Sequence, residues 1–296
     1  MTGSPVVPRQ PLAADILTLT KPRIISLLLV TTVMPMYAAG SPSISLVLIV
    51  MLGGYLMAGG ANAVNMYFDR DIDGVMVRTR TRPIPSGRMA PQAVMAFGIA
   101  SATAATFLLG RFVNPLSAGL ALGGFYTYVF VYTRWLKRST PQNIVLGGAA
   151  GAFPPLVGWA AVTNTVDLKS VLLFLIVFYW TPPHFWALAL NKQVDYGNAG
   201  VPMAPNAWGT RETIDQVLWY SFLLVALTLL PVCFGMFGLP YLSAALFLGG
   251  WFIRDAWRVW RQRDTGEWSA PAWKLYKFSL LYLALIFAAM AVDRHV

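Results

Sequence analysis

The sequence predicts an all-α polytopic membrane protein with nine transmembrane helices in one bundle, and three observations predict it. Charged residues are 11% of the chain and hydrophobic ones 57%, against roughly a quarter charged in a soluble domain. The apolar residues gather into nine runs, each close to the roughly 20 residues that cross a ~30 Å hydrocarbon layer. Basic residues fall on alternate connections between those runs, the pattern that orients spanning chains.

The runs lie near residues 22–40, 44–65, 91–110, 115–135, 142–162, 168–190, 213–236, 238–260 and 272–292. Residues 1–20 are Pro-rich, carry one Arg and lack an apolar core with a cleavage site, so they read as a flexible leader rather than a signal peptide. No linker or composition shift divides residues 21–296, which are expected to form one domain. The connections after the second, fourth, sixth and eighth runs hold Arg70, Arg78, Arg80, Arg82 and Arg88; Arg134, Lys137 and Arg138; Lys192 and Arg211; Arg254, Arg258, Arg261 and Arg263. The opposite connections carry only Arg111 and the Asp167/Lys169 pair. This places the N-terminus in the cytoplasm and, with nine spans, the C-terminus outside. The net charge of +10 sits on short loops between spans, which argues against nucleic acid as a partner. A single cysteine, Cys233, excludes an intramolecular disulfide and a cysteine-cluster metal site.

Two long connections, about 66–90 and 191–212, are both cytoplasmic on this reading and hold most of the acids outside the tail of the eighth run. Long loops in compact folds are usually functional or disordered. The first begins Asn65-Met-Tyr-Phe-Asp69-Arg-Asp71-Ile-Asp73. If the preceding helix runs through it, Asn65, Asp69 and Asp73 share one face about 6 Å apart. Carboxylates at a membrane border need a partner, and oxygen donors suit a hard cation such as Mg²⁺. Asp71 lies about 200° around the helix from Asp69 and is expected to face away and pair with a basic residue.

Arg78, Arg82 and their basic neighbours follow directly. Oxygen ligands bind Mg²⁺, Mg²⁺ binds phosphate, and arginine forks take the remaining phosphate oxygens, so the combination describes a diphosphate site. Lys137 and Arg138, with Lys192, are candidates for a second clamp; as headgroup anchors they would serve equally well. A diphosphate at the mouth of an apolar bundle suggests a polyprenyl diphosphate, whose departing diphosphate leaves an allylic cation. Tyr67, Phe68, Tyr132, Trp180, Phe185 and Trp186 flank the site, where aromatic faces stabilise a cation or simply form a membrane belt.

The sixth run ends in a second constellation, Trp180-Thr-Pro-Pro183-His184-Phe-Trp186 through Asn191 and Asp195-Tyr196 to Pro202. Asn191 and Asp195 repeat the spacing of Asn65 and Asp69. His184 follows an expected Pro-Pro helix break. It reads either as a hydrogen-bonded structural histidine or as a group that ligates haem iron or moves a proton.

On Asn65-x-x-x-Asp69-x-x-x-Asp73 the chain resembles the intramembrane prenyltransferases of the UbiA superfamily. Within it, the chain is similar to the protohaem IX farnesyltransferase branch. That likeness rests on Leu19-Thr-Lys21-Pro22-Arg23, Asp71-Ile-Asp73, Arg78-Thr with Arg82-Pro83, Tyr132-Thr with Trp135-Leu-Lys137-Arg138, Gly147-Gly148 through Pro154-Pro155 to Gly158-Trp159, and the Pro183-His184 and Asp195-Tyr196-x-x-Ala199-Gly200-x-Pro202 blocks. The resemblance implies a nine-helix bundle and Mg²⁺-dependent transfer of farnesyl from farnesyl diphosphate to a vinyl group of haem B, giving haem O. It assigns Asn65, Asp69, Asp73 and Asp195 to metal and catalysis, Arg78, Arg82, Lys137, Arg138 and Lys192 to diphosphate, and His184 to haem. It also implies a bacterial cytoplasmic membrane, a site opening to the cytoplasm, and a downstream haem-handling or oxidase-assembly partner. The chain departs from the superfamily at Asn191, where a second acid is usual, and this weakens a second metal site.

Three other readings compete. The motif of membrane CDP-alcohol phosphotransferases is partly imitated from Asp73 to Gly87 but fails at Pro91 and Met95, where it needs acids. A secondary transporter would place its binding groups near the bilayer midplane, whereas these acids sit at segment ends. Against a UbiA-type enzyme with a quinone-precursor or chlorophyllide acceptor stand the Pro182-Pro183-His184 block and Asp195-Tyr196-x-x-Ala199-Gly200-x-Pro202, which favour haem through the resemblance.

Overall fold

Among residues 11–293, which the computed structural model describes, all regular structure is helical. Helix α1 (Leu12–Thr20) ends in a left-handed turn at Lys21, and α2 (Pro22–Ala39) starts on a proline, whose fixed φ and missing N–H suit the first helical position. Residues 12–20 of the leader expected over residues 1–20 are therefore helical. Residues 1–10 lie outside the described residues, while α1 is docked by buried Leu19 and by Asp15, which is 3% exposed and paired with Arg88.

The chain continues through α3 (Ile44–Phe68), α4 (Arg70–Val75), α5 (Pro91–Phe112) and α6 (Pro115–Tyr126). From Thr127 to Leu136 the last of these widens into π-helical turns, then closes as α7 (Lys137–Ser139). After α8 (Asn143–Gly147) and α9 (Ala149–Thr163), a capping box of Asp167 and Ser170 starts α10 (Leu168–Leu190). The expected break at Pro182-Pro183 does not occur. The helix runs on to Leu190, and Thr181 Oγ1 bonds the Val177 carbonyl at 2.9 Å just before the two prolines. Two short helices, α11 (Gln193–Asn198) and α12 (Ala204–Ala207), precede α13 (Thr210–Cys233), α14 (Leu239–Arg261) and α15 (Ser269–Asp293).

Eight helical stretches among the described residues are long and apolar enough to cross a membrane. The ninth expected, α14, has the length but not the apolarity, because Arg254, Asp255, Arg258 and Arg261 occupy its last turns. The helices pack in a closed circuit, α2 to α3, α5, α6, α9, α10, α13, α14, α15 and back to α2, with α2 also against α9 and α10 against α15. Close approach depends on glycine where backbones touch. A Cβ on Gly60 of α3 would lie 2.6 Å from the Gly98 carbonyl of α5. One apolar cluster fills the half built on α10 and α13 to α15, and another the half built on α2, α3, α5 and α6. A third, small cluster of Leu19, Ala63, Met66, Ile84 and Val94 joins α1, the end of α3 and the basic loop. It holds together the elements that carry the site.

Candidate active site

The exit of α3 does continue as a helical face. Asp69 forms a joint between α3 and α4, but the bond ladder crosses it: Asp69 N–H reaches the Asn65 carbonyl at 2.9 Å and Asp73 N–H the Asp69 carbonyl at 2.8 Å. Asn65, Asp69 and Asp73 are 4%, 1% and 2% exposed. Buried carboxylates need counter-charge, and two cations supply it directly. Lys137 Nζ lies 2.5 Å from Asp69 Oδ2, and Arg82 Nη1 lies 2.6 Å from Asp73 Oδ2. Asn65 Nδ2 donates to Asp69 Oδ2 at 2.7 Å and to Thr133 Oγ1 at 3.0 Å.

Asp71 points elsewhere, as its helical angle requires, and meets both arms of Arg138 at 2.7 and 2.8 Å. The hydrogen bond from that guanidinium, more than any other influence, holds the Asp71 carboxyl down at about 2. Arg138 thus sits at the rim of the acid face, 3.9 Å from Asp69 Oδ1.

Three residues from other elements complete this face, and of these only Lys137 is a sequence candidate. Thr133 and Lys137 are delivered by the π-helical stretch and its closing turn. Lys21 arrives from the opposite side, its Nζ donating to Asn65 Oδ1 at 3.2 Å. Burial, with Arg82 next in effect, pulls the Lys21 ammonium down to about 7. Its backbone is left-handed, φ 55° and ψ 60°, immediately before Pro22, a conformation that a non-glycine residue in a pre-proline position adopts only when its surroundings compel it. Lys21 stood in a quoted motif, but nothing in its spacing revealed a contact 44 residues away.

The second motif is arranged differently. Helix α10 tightens at its end, with Asn191 and Lys192 bonding three residues back to Leu188 and Ala189, so Asn191 and Asp195 do not continue one ladder. Asn191 Oδ1 accepts from Ser269 Oγ at 2.6 Å. Asp195, Lys192 and Arg78 form no ion pair among the described residues. Burial pushes the Tyr196 phenol up, Arg78 and Arg82 oppose the shift, and Asp195 and Tyr276 add to it. Tyr196 is therefore within electrostatic reach of the first loop's arginines.

Tyr276 links this region to His184. The buried imidazole stacks between Trp180, at 4.2 Å between ring centroids, and Tyr276, at 4.8 Å. Its Nδ1 lies 2.6 Å from Ser279 Oγ, and that hydroxyl lies 2.7 Å from the Tyr276 carbonyl. With the hydroxyl proton on the Tyr276 carbonyl, Ser279 accepts from Nδ1–H and the lone pair is on Nε2; with it on Nδ1 the two nitrogens exchange roles. A packed structural histidine would be held in the same way.

The first face fits a hard divalent cation by its donor chemistry. All the candidate ligands are oxygens, and Asp69 Oδ1 is a buried carboxylate oxygen without a hydrogen-bond partner. No three acidic, histidine or cysteine side chains among the described residues converge as a ready metal cluster. A cation here would complete its shell from elsewhere, as phosphate-bound Mg²⁺ does.

Residues 26–291 match the model of the UbiA prenyltransferase family. A protein of Chloroflexus aurantiacus named protoheme IX farnesyltransferase is 56% identical over 95% of this chain, which spans 48% of that protein. One of the same name from Granulibacter bethesdensis is 46% identical over 96% of this chain and 92% of its own length. The chain spans about half the length of the relatives it matches at 53% to 56% identity. Among solved structures, digeranylgeranylglyceryl phosphate synthase shares the fold at a TM-score of 0.73 and 19% identity, covering 95% of this chain and 98% of its own. A UbiA homologue from Archaeoglobus fulgidus bound to DMAPP and Mg²⁺ does so at 0.65 and 16%, covering 94% and 99%.

Proposed function

The chain belongs to the UbiA prenyltransferase family, and from that premise we propose that it transfers a farnesyl group from farnesyl diphosphate to a vinyl group of haem B, giving haem O and diphosphate. The observation that carries this reading is the buried face of Asn65, Asp69 and Asp73 with lysine and arginine around it. It is supported by relatives named for that activity that cover the chain nearly end to end.

Asn65, Asp69 and Asp73, with Asp195 across the region of Tyr196, would hold Mg²⁺. The ion supplies Lewis-acid stabilisation of the charge that develops on the departing diphosphate. Lys137 and Arg82 are fixed by the carboxylates at a distance suited to the same oxygens, and Arg78 and Lys192 are free to close on them. Tyr128 and Tyr132, stacked at 5.7 Å on the π-helical stretch, offer faces to an allylic cation and keep water from it. His184 presents Nε2 to haem iron, its ring fixed by Ser279 and two aromatic neighbours. All nine long helices span the bacterial cytoplasmic membrane, N-terminus inside and C-terminus outside, with α14 amphipathic at its basic end. The site opens to the cytoplasm and the product passes to a haem-handling or oxidase-assembly partner.

Purified protein given Mg²⁺, farnesyl diphosphate and haem B should yield haem O by mass spectrometry. Prenylation of a quinone precursor in place of haem would overturn the acceptor. Transport of a tracer with no prenylated product would overturn the reaction.

A further inference from the structure

Asn65 has two N–H bonds and one acceptor oxygen to offer. Both N–H bonds are committed, to Asp69 and to Thr133, and the oxygen is occupied by Lys21 Nζ. That oxygen is the one a metal would need. An ammonium and a divalent cation cannot share it, since like charges at contact repel strongly in a buried site. Asp69 and Asp73 each already hold a cation through Oδ2, Lys137 and Arg82 in turn, and the acceptor left without a hydrogen-bond partner is Asp69 Oδ1. Lys21, Lys137, Arg82 and, at 3.9 Å from Asp69, Arg138 thus surround the carboxylates of Asp69 and Asp73, an arrangement that disfavours a divalent ion arriving alone and favours one arriving with a multiply charged anion.

The backbone at Lys21 cannot follow its side chain. Asn62 Nδ2 donates to the Thr20 carbonyl at 3.0 Å, and the Thr20 and Tyr55 hydroxyls lie 3.0 Å apart. Asp15 receives Arg88 Nε at 2.9 and 3.2 Å, and Arg88 also holds the Thr81 carbonyl at 3.0 Å, which ties α1 to the basic loop. Only the lysine side chain is left to move.

We propose that Lys21 is a stand-in cation: it holds the Asn65 oxygen until metal and diphosphate arrive together, then releases it and becomes a contact to the diphosphate. The site thereby resists metal without substrate and couples the two binding events. This rests on the prenyl-diphosphate reading above, but its test does not need the transfer reaction.

The full chain in lipid nanodiscs is titrated with Mn²⁺ alone, free Mn²⁺ being read by electron paramagnetic resonance, and then with inorganic pyrophosphate in the presence of Mn²⁺. Lys21→Met is expected to bind Mn²⁺ alone roughly tenfold more tightly and pyrophosphate roughly tenfold more weakly, the worth of one charged hydrogen bond each way. Asp15→Asn, which loosens α1 without touching the site, should shift both in the same directions by about threefold, and it carries the test if Lys21→Met does not fold. A lysine with a merely structural role would weaken both ligands together. Unchanged or weaker Mn²⁺ binding in Lys21→Met overturns the proposal, as does a wild type that binds neither probe. A wild type that shows the coupling but makes no prenylated product overturns the functional reading and leaves this one standing.

Discussion

At the exit of α3, Asn65, Asp69 and Asp73 are buried and each is bonded, to Lys21, Lys137 and Arg82 in turn. At the exit of α10, Asn191 and Asp195 repeat the fourfold spacing, yet Asn191 gives its oxygen to Ser269 and Asp195 has no ion pair among the described residues. The difference begins in the backbone. One helix carries its hydrogen-bond ladder through the acids, while the other closes on bonds three residues back and restarts at Gln193. Spacing that places two groups on one face in a continuous helix does not do so across a tightened end. The acids of the first exit consequently have their counter-charges in place, while Asp195 at the second has none among the described residues.

Substitutions can break or sharpen that contrast. Asp69→Asn should have the largest effect, lowering the transfer rate by on the order of 10²–10³, the scale of removing one preorganised electrostatic group; turnover within threefold of wild type would sink the assignment of the first exit. Asp195→Asn should cost about tenfold, read as a higher metal requirement in the same assay, since it removes one charge from a site that the substrate largely completes. Asn191→Asp tests whether the second exit lacks only an acid. Because Ser269 holds position 191 off the face, activity should change by less than about threefold, and a gain of a second Mn²⁺ by stoichiometry would show that the backbone argument fails. Asp71→Asn should have the smallest effect, under about twofold in KM for the diphosphate, because an exposed ion pair is worth ~1 kcal/mol or less.

Much of the first exit was legible in the sequence because helical geometry alone determines it. Fourfold spacing put Asn65, Asp69 and Asp73 on one buried face, and a 200° rotation sent Asp71 outward to a basic residue, which is Arg138. The all-helical membrane character followed from composition. Contacts set by tertiary packing were not legible. Lys21 reaches Asn65 only because a left-handed turn precedes Pro22, and Ser269 reaches Asn191 from 78 residues away. The first half of α1 was hidden by its polar and proline-rich surroundings, since the burial of Asp15 depends on Arg88. The expected break at Pro182-Pro183 does not occur because a helix packed among others keeps its course.

The π-helical stretch from Thr127 to Leu136 has a consequence for how this site tolerates change in chain length. Turns closed by i→i+5 bonds use about 4.4 residues each instead of 3.6, so ten such residues lag an ordinary helix by roughly half a turn. Lys137 meets Asp69 with that lag built in. Were the stretch to rewind as an ordinary α-helix, the lysine would swing to the far side of its helix, away from Asp69. The Lys137–Asp69 contact is in this sense a phase setting, and deletion of a single residue among these ten would detune it without changing either residue of the pair.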